Sequence, residues 1–467
     1  MIRPVNFENN ILTAHENKMM IMPNGDLFGM NGIETRLNNN VIAMGTSGSS
    51  KTRSVVIPNL LSCVGSYIVS DPKGNLCRKY KNYLKSNGYK IKTINFVDPL
   101  ESDGYNPFAY LNSPEDYVKL SHYITYAGID PANERDPFWN RSGEIFLSAL
   151  IGYFFDSNER PEDITFHKIT DLMMSINTGY DDDYVENSGF DRLMEEMNRK
   201  YVRANGRQAW SYKQYKKFRS FAPPKTYSTI LATIESSIGL LDTPALSKMY
   251  CSDTIDFTAL GREKTVVFVN VSDTDRTRDV LINTFWSQAM NQLCSYADTK
   301  CENSSLKVPV RFILDDFGTN CYIDDFENMI SNIRSRNISA TIVLQSEAQL
   351  MQGYGRSAQT IIDNCDTLVY MGGNDVNTAR TISLRSNKPL TEILDMPVGT
   401  NWLFRRGATP KHSRTIDLDE YVSLVQPKER SYMTDEEYFM QYGEEWEDFD
   451  LSDEEIYCPD YYDDGQF

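Results

Sequence analysis

The chain has 467 residues, of which 40% are hydrophobic and 24% are charged, so it is long and apolar enough for two or three globular domains. It contains no run of about 18 apolar residues and no signal-peptide core, so we expect a cytosolic protein with neither a membrane-spanning helix nor a secretory leader. The eight cysteines form no CxxC pair and the four histidines are far apart, which argues against a zinc site and favours reduced thiols.

The net charge of −18 is unevenly distributed. Asp435–Phe467 holds fourteen acidic residues and no basic ones, whereas residues 1–434 carry 47 basic and 51 acidic side chains. Because such a tail repels itself, we predict that residues 431–467 are disordered. The tail either solubilises the protein or docks basic partner proteins, including a relaxase. The nearly neutral body remains compatible with DNA binding, since local charge decides that property.

Short β-branched runs alternate with helical patterns on both sides of a long middle segment. The predicted strands are Val41–Met44, Tyr67–Ser70, Lys92–Val97, Thr265–Val271, Arg311–Leu314, Ile338–Leu344 and Thr367–Met371. Helical patterns at Leu76–Ser86 and Asp279–Tyr296 lie between them. This alternation predicts an α/β fold with a mainly parallel, twisted sheet.

The middle segment has helical periodicity and few β-like runs. Its clearest patterns are Val118–Tyr126, Trp139–Phe155 and Tyr227–Leu241. We therefore predict one α/β domain formed by residues 1–112 and 246–430, with an all-α domain inserted at 113–245 and the tail at 431–467.

A loop of small residues follows the first predicted strand and opens a helix. Its residues are Gly45, Thr46, Ser47, Gly48, Ser49, Ser50, Lys51 and Thr52. In a P-loop, backbone N–H groups turn inward around phosphates, the lysine reaches the β- and γ-phosphates, and the hydroxyl of the last residue binds Mg²⁺. The alternative is a Ser/Gly-rich turn that precedes a lysine by chance, but the strand before it and the helix after it favour an ATP site. Ser50 stands where the P-loop pattern has glycine, so we expect weaker or altered phosphate binding.

Two acids, Asp315 and Asp316, directly follow the strand Arg311–Leu314. Parallel strands deliver such groups to the carboxyl edge of a sheet, where ligands bind. We predict that Asp315 holds Mg²⁺ and that Asp316 orients and polarises the attacking water. The usual residue at the second position is glutamate, and the shorter aspartate could slow catalysis. The alternative is that both acids cap the next helix.

Two further polar features flank the strand Ile338–Leu344. Gln345 at its carboxyl end can hydrogen-bond the γ-phosphate or the attacking water, and Arg334 and Arg336 precede the strand. An arginine there can act on the ATP of a neighbouring subunit. Equally, the arginines can be solvated helix charges.

The order of these motifs resembles the type IV secretion coupling proteins, the TraG/TraD-type conjugation ATPases related to the FtsK/HerA motors. The motifs are GTSGSSKT, then SDPKG at Ser70–Gly74, NPF at Asn106–Phe108, DPFW at Asp136–Trp139, LDDF at Leu314–Phe317, RSR at Arg334–Arg336, LQSEAQL at Leu344–Leu350 and NCDTLVYMGG at Asn364–Gly373. The resemblance extends over about residues 19–416. Only the P-loop is specific by itself.

The resemblance implies a RecA-like P-loop ATPase that assembles as a homo-hexamer. Such a ring recruits relaxase-bound single-stranded DNA to a type IV secretion channel and powers its transfer with ATP and Mg²⁺. By the same resemblance, Lys51 and Thr52 bind phosphate and Asp315 binds the metal. The catalytic acid falls on Asp316, the arginine finger on Arg334 and the sensor glutamine on Gln345. A nucleotide-edge acid falls on Asp71.

Family members commonly begin with two transmembrane helices, which this sequence does not show. We therefore expect a protein that is peripheral at the inner face of the cell membrane, docked there by a separate anchor protein, or a truncated or soluble form.

A basic stretch lies in the predicted insertion. Arg199–Arg219 contains eight basic residues and no acids, with Tyr201, Trp210, Tyr212, Tyr215 and Phe218 interleaved. Basic side chains neutralise phosphates and aromatic rings stack on unpaired bases. The alternative is a solvated helix face whose aromatic side chains point inward.

Three functions remain open from the sequence. The first is a conjugative coupling ATPase, which the helical insertion and the NPF and DPFW motifs favour. The second is an FtsK/HerA-like translocase of double-stranded DNA. The third is a degenerate receptor that binds cargo and channel without hydrolysing ATP, which Ser50 and Asp316 make conceivable.

Overall fold

A nine-stranded sheet organises the part of the chain that the computed structural model describes, namely residues 19–30, 32–126, 136–175, 189–222, 226–272 and 274–425. The strands are β1 (Met20–Ile21), β2 (Leu27–Phe28), β3 (Val41–Met44), β4 (Ser66–Ser70), β5 (Lys90–Asn95), β6 (Thr265–Asn270), β7 (Val310–Leu314), β8 (Ile338–Leu344), β9 (Thr367–Tyr370), β10 (Thr400–Arg405) and β11 (Lys411–Arg414). β1 and β2 form a separate antiparallel pair. The predicted tail lies outside the described residues.

The order of the large sheet is β11–β10–β9–β3–β8–β7–β4–β6–β5. Every pair from β9 to β5 is parallel, while β10 and β11 are antiparallel to their neighbours. All seven predicted strands are present, with shifts of no more than two residues at their ends. The prediction of a mainly parallel sheet is confirmed. The strand that precedes the P-loop is central, between β8 and β9.

The helices are α1 (Gly32–Thr35), α2 (Ile57–Leu61), α3 (Asn75–Ser86), α4 (Pro114–Thr125), α5 (Pro137–Asp156), α6 (Phe166–Met174), α7 (Gly189–Asn205), α8 (Trp210–Phe221), α9 (Tyr227–Ile238), α10 (Pro244–Tyr250), α11 (Asp279–Lys300), α12 (Phe317–Asn320), α13 (Phe326–Asn332), α14 (Glu347–Tyr354), α15 (Ala358–Asp363), α16 (Val376–Ser386), α17 (Leu390–Leu394) and α18 (Leu418–Val425). Short 3₁₀ turns occur at Pro99–Glu101, Pro107–Tyr110, Pro161–Asp163, Gly239–Leu241, Phe257–Gly261, Glu302–Ser304, Ile333–Arg336 and Gly355–Ser357.

Both faces of the sheet are covered, because side chains along each strand alternate between two cores. Ile42 and Met44 belong to the core shared with α11 and the helical insertion. Val41 and Ala43 belong to the second core, which α2, α3 and α18 cover. This double burial explains why the strands are continuous apolar runs.

The insertion consists of α4 to α10, with no strand among its described residues. Its central helix is α5, whose Phe146 and Leu150 are fully buried. The DPFW motif begins this helix: the Asp136 carboxylate accepts a hydrogen bond from the N–H of Phe138, and Pro137 occupies the first helical position. The predicted insertion limits, 113 and 245, fall next to the start of α4 and inside α10.

Among the described residues, no helix combines the length and the apolar composition that crossing a bilayer requires.

Candidate nucleotide site

The P-loop begins where β3 ends, and its first glycine is required by close packing. The N–H of Gly45 donates to the carbonyl of Leu344 in β8. A Cβ at Gly45 would lie 2.6 Å from Ser49 Oγ and 3.2 Å from the carbonyl oxygen of Gly372. The N–H of Thr46 donates to that same carbonyl. The loop therefore rests against the end of β9, and a side chain at its first position would displace it.

Ser50 adopts a left-handed backbone conformation, with φ of 66°. Glycine reaches this region without cost, whereas a residue with a Cβ is strained by about 1–2 kcal/mol. The P-loop pattern has glycine at this position, and the backbone angle gives a local reason for it. Ser50 is thus a strained substitution within the loop.

The helix after the loop does not start as a regular α-helix. Thr52–Val56 forms a π-helical turn, in which the N–H of Ile57 bonds the carbonyl of Thr52, before α2 continues. Pro58 lacks an N–H and cannot satisfy the carbonyl of Ser54 four residues earlier, which favours the wider turn. The predicted helix is present, with this local difference.

Lys51 is buried within the loop and is only 8% exposed. Its Nζ donates to the carbonyl oxygens of Gly45 at 2.5 Å and Thr46 at 2.8 Å. Burial lowers the pKa of Lys51, while the nearby charges of Asp316 and Asp315 oppose that change. The ammonium group therefore lies within the loop, and an anion bound by the loop would favour the charged form of Lys51.

Thr52 and Asp315 meet although 263 positions separate them. Thr52 Oγ1 donates to Asp315 Oδ2 at 2.5 Å, across the end of β8, which lies between their strands. Asp315 is 7% exposed, and burial raises its pKa, whereas the Thr52 hydrogen bond lowers it. The structure thus brings a hydroxyl, a carboxylate and the Lys51 ammonium to one edge of the sheet.

Asp315 is held from its main chain as well. Ser70 Oγ at the end of β4 donates to the Asp315 carbonyl at 3.1 Å, and the N–H of Asp316 donates to Asp315 Oδ1 at 3.1 Å. Asp316 itself has φ of 50° and ψ of 47°, a left-handed conformation that aspartate tolerates better than most residues. The chain turns there, and α12 begins without a side-chain cap from Asp316.

Gln345 lies at the same edge, one residue beyond the paired ends Met44 and Leu344. Its N–H donates to Gln349 Oε1 at 2.7 Å. Gln349 also touches the segment after the two acids, because a Cβ at Gly318 would lie 2.7 Å from its Cβ. Gln349 was not predicted as a site residue. Its hydrogen bond to Gln345 spans only four positions at the start of α14, whereas its contact with Gly318 is made only in the folded chain.

Asp71 caps a helix. Its two carboxylate oxygens accept hydrogen bonds from the N–H groups of Leu76 at 3.1 Å and Cys77 at 2.9 Å, at the start of α3. Burial raises its pKa and these bonds lower it. Both oxygens are thus occupied by the helix, and the predicted contact of Asp71 with nucleotide stays a prediction.

A family described as "Type IV secretory system Conjugative DNA transfer" matches residues 8–394. The match includes the P-loop, the two acids after β7 and Gln345. The chain belongs to this family.

Two relatives agree with that membership. The conjugal transfer protein TraG of Rhizobium radiobacter is 21% identical over 362 residues, covering 75% of this chain and 53% of TraG. TraG of Agrobacterium fabrum is also 21% identical, with 51% of its length covered. The chain thus spans about half the length of the curated relatives it matches.

Among solved structures, the conjugative coupling protein TrwBdeltaN70 with sulphate superimposes with a TM-score of 0.63 at 15% identity, covering 89% of this chain and 93% of that one. TrwB with a non-hydrolysable ATP analogue gives 0.62 at 15% identity and the same coverage. VirB4 of Thermoanaerobacter pseudethanolicus gives 0.51 at 12% identity, covering 86% and 97%. These likenesses show the fold of this chain, which is a RecA-like domain with an all-α insertion.

In this family member, Arg334 lies away from its own nucleotide edge. It belongs to the 3₁₀ turn before β8, at the amino end of that strand, and its Nη2 donates to the carbonyl of Gly32 at 2.6 Å. Seven residues of β8 separate it from Gln345, roughly 20 Å at about 3.3 Å per residue. The structure does not bring Arg334 to the P-loop of the same chain, and its predicted action on a neighbouring subunit stays a prediction. Arg336 instead pairs with Asp298 at 2.8 Å.

The basic stretch of the insertion divides between core and surface. Tyr215 and Phe218 are each 1% exposed and pack in the core of the insertion, so the base-stacking role proposed for these two rings is wrong. Arg219 is also largely buried and pairs with Asp191 at 3.2 Å. Exposed basic side chains remain on α7, α8 and the turn between them: Arg199, Lys200, Arg203, Arg207, Lys213, Lys216 and Lys217.

Proposed function

We propose that this protein is an ATP-driven coupling protein that recruits relaxase-bound single-stranded DNA to a type IV secretion channel and powers conjugative transfer. Family membership supports the process. The convergence of Lys51, Thr52 and Asp315 supports the energy source, and the 2.5 Å contact between Thr52 Oγ1 and Asp315 Oδ2 is the observation that carries the proposal.

The residues at this edge fit ATP and Mg²⁺. Oxygen ligands are those that Mg²⁺ prefers, and a threonine hydroxyl beside a carboxylate at a P-loop supplies two of them. Thr52 and Asp315 would hold the ion, which when bound neutralises charge on the phosphates. Lys51 and the loop Gly45–Ser50 would bind the phosphates. TrwB has been solved with ADP and Mg²⁺, which supports the same ligands here.

Three further residues would act on the chemistry. Asp316 would accept a hydrogen bond from the attacking water and polarise it. Gln345, held by Gln349, would orient that water or the γ-phosphate. Arg334 would approach the ATP of the next subunit in a homo-hexameric ring, since it lies at the opposite edge of its own sheet.

The site of action would be the cytoplasmic side of the cell membrane. The chain would be peripheral there and would dock through the secretion channel or through a separate membrane-anchor protein. The tail from residue 431 would bind relaxase or accessory proteins.

The deciding experiment compares ATP turnover of the wild type and Lys51→Ala, with and without a single-stranded oligonucleotide. Lys51 supplies the one ammonium group within the P-loop, so its loss should lower DNA-stimulated turnover on the order of 10²-fold or more. Lys85→Ala, which changes an exposed lysine of α3, is the matched control and should leave turnover unchanged. Equal turnover in wild type and Lys51→Ala would remove the motor function.

A second candidate, a receptor that binds ATP without hydrolysing it, is favoured by one observation: Ser50 strains the loop at φ of 66°. ATP binding without turnover in the wild type would support it. Stimulation by double-stranded rather than single-stranded DNA would instead favour an FtsK/HerA-like translocase.

A further inference from the structure

The segment that follows the two acids is folded around one tyrosine. Tyr354, the last residue of α14, has a ring centroid 5.7 Å from that of Phe317 and 4.9 Å from that of Tyr322, both nearly parallel. Its hydroxyl donates to the carbonyl of Ile323 at 3.0 Å and accepts the N–H of Ile323 at 2.9 Å. Residues 317–323 are therefore packed as one unit that begins directly at Asp316.

The far end of this segment contacts the helical insertion through a histidine. His122 in α4 has Nδ1 3.2 Å from Glu144 Oε2 of α5, and Nε2 3.6 Å from Asp324 Oδ1. The ring of Tyr126 stacks on the imidazole at 4.4 Å. From the other side, the N–H of Asp324 donates to Ser287 Oγ of α11 at 2.9 Å. One imidazole thus joins two helices of the insertion to the segment that starts at Asp316.

We propose that His122 is a positioning residue that couples the helical insertion to Asp316, by fixing Asp324 at the far end of the segment that Asp316 begins. A ligand that moves α4 or α5 would thereby move the segment that carries the catalytic acid. The link itself is a property of the fold. Its consequence for hydrolysis rests on the proposed function.

The charge of His122 supports the geometry. The acids that act on it are Asp324 and Glu144, whose contacts raise the pKa of His122 to about 9 against the opposing effect of burial. A raised pKa means that the link is fully present below the ordinary histidine value of about 6.5 and is lost as the pH rises through about 9. At neutral pH the bridging form is the imidazolium.

The experiment measures backbone amide exchange of residues 317–326 in the full chain, as protection factors. His122→Ala and Asp324→Asn should each lower protection several-fold there. The double variant should lower it no further than either change alone, because both changes remove the same contact between His122 and Asp324. Additive losses, or unchanged protection in His122→Ala, would overturn the proposal.

His167→Ala is the matched control. His167 in α6 also lies between two acids, with Nδ1 3.0 Å from Asp242 and Nε2 3.4 Å from Asp171, but neither acid belongs to the segment that follows Asp316. It should leave residues 317–326 unchanged.

The pH dependence of protection and its recovery in His122→Lys distinguish a positioning role of His122 from a general contribution to stability. Wild-type protection should fall as the pH passes about 9, and His122→Ala should lack this step. His122→Lys keeps a cation, so it should recover most of the protection and move the step toward the lysine pKa of about 10.4. A pH step that survives in His122→Ala would contradict the assignment.

The functional arm is stimulation of ATP turnover by a single-stranded oligonucleotide. In His122→Ala the ratio of stimulated to unstimulated turnover should fall several-fold. Unchanged stimulation would overturn the coupling. If the wild type shows no turnover, the proposed function fails, and the exchange measurements still decide whether His122 makes the link.

Discussion

The P-loop and the basic stretch of the insertion were both predicted as functional from sequence patterns, and they differ in how the pattern relates to the structure. The P-loop residues are contiguous and form one loop, so the residue type at a position is constrained by its local backbone and packing, as at Gly45. The basic stretch winds around two helices. Its residues divide by helical face, with Tyr215 and Phe218 in the core and Lys213 and Lys217 exposed.

The difference teaches which patterns can be interpreted directly. Where the backbone conformation of a loop constrains the residue types, the sequence pattern predicts the local structure directly. A compositional pattern on a helix mixes two faces every 3.6 residues, so its aromatic and basic members need not act together. The exposed cations of α7, α8 and the turn between them remain candidates for contacts with DNA, whereas Tyr215 and Phe218 do not.

The largest expected effect tests the nucleotide edge. Asp316→Asn keeps the shape and the left-handed backbone of Asp316 but removes its negative charge. If Asp316 polarises the attacking water, turnover should fall on the order of 10²–10⁴-fold, the range for loss of a general base. ATP turnover at saturating nucleotide is the measurement, with binding of an ATP analogue measured in parallel.

Asp325→Asn is the matched control, since Asp325 is also an aspartate in the left-handed region, with φ of 56°, before a helix. Turnover should change little there. If both substitutions lower turnover equally, then the loss follows from removing a carboxylate anywhere in this segment, and the specific role of Asp316 in polarising water fails.

The intermediate effect tests the basic surface. Changing Lys213, Lys216 and Lys217 to Glu reverses three exposed charges on α8, so affinity for a single-stranded oligonucleotide at low salt should fall by roughly 10-fold or more and its salt dependence should weaken. Fluorescence anisotropy at several salt concentrations measures both.

The control for that change reverses three exposed lysines of α3 in the α/β part, Lys79, Lys81 and Lys85. This variant has the same net charge as the first. Similar affinity in the two variants would show that overall charge matters rather than this surface, and the basic stretch would then be a solvated face.

Much of the fold could be predicted because its strands are buried on both faces and therefore apolar throughout, as in Ile338–Leu344, whose bounds match the prediction. Helix starts were less accurate: α4 begins at Pro114, four residues before the predicted start. The family resemblance implied a nucleotide contact for Asp71, and the structure shows its carboxylate capping α3. No local signal distinguishes those two uses of an acid after a strand.

Contacts between distant parts of the chain could not be predicted. Gln349 packs on Gly318 of α12, and His122 joins Glu144 and Asp324. Each of these contacts depends on how separate elements meet in the folded chain. The acids at the end of β7 were predictable because parallel strands share an edge, but the side chains that fix them were not.

The smallest effect sharpens the comparison within the P-loop itself. Ser50→Gly removes the Cβ from a residue with φ of 66°, and glycine occupies that region without the strain of about 1–2 kcal/mol. Part of this gain is offset, because glycine also gives the unfolded chain more freedom. We expect the midpoint of thermal unfolding to rise slightly as the strain is relieved. ADP should bind about 5-fold more tightly, which corresponds to roughly 1 kcal/mol, because without a Cβ the loop backbone can approach the phosphates more closely. Calorimetric titration with Mg²⁺ and ADP measures the affinity.

Ser50→Ala removes the hydroxyl but keeps the Cβ, so it should gain neither stability nor affinity. If Ser50→Ala behaved like Ser50→Gly, the hydroxyl rather than the backbone would limit the site, and the local backbone requirement that makes this loop predictable would not hold at position 50.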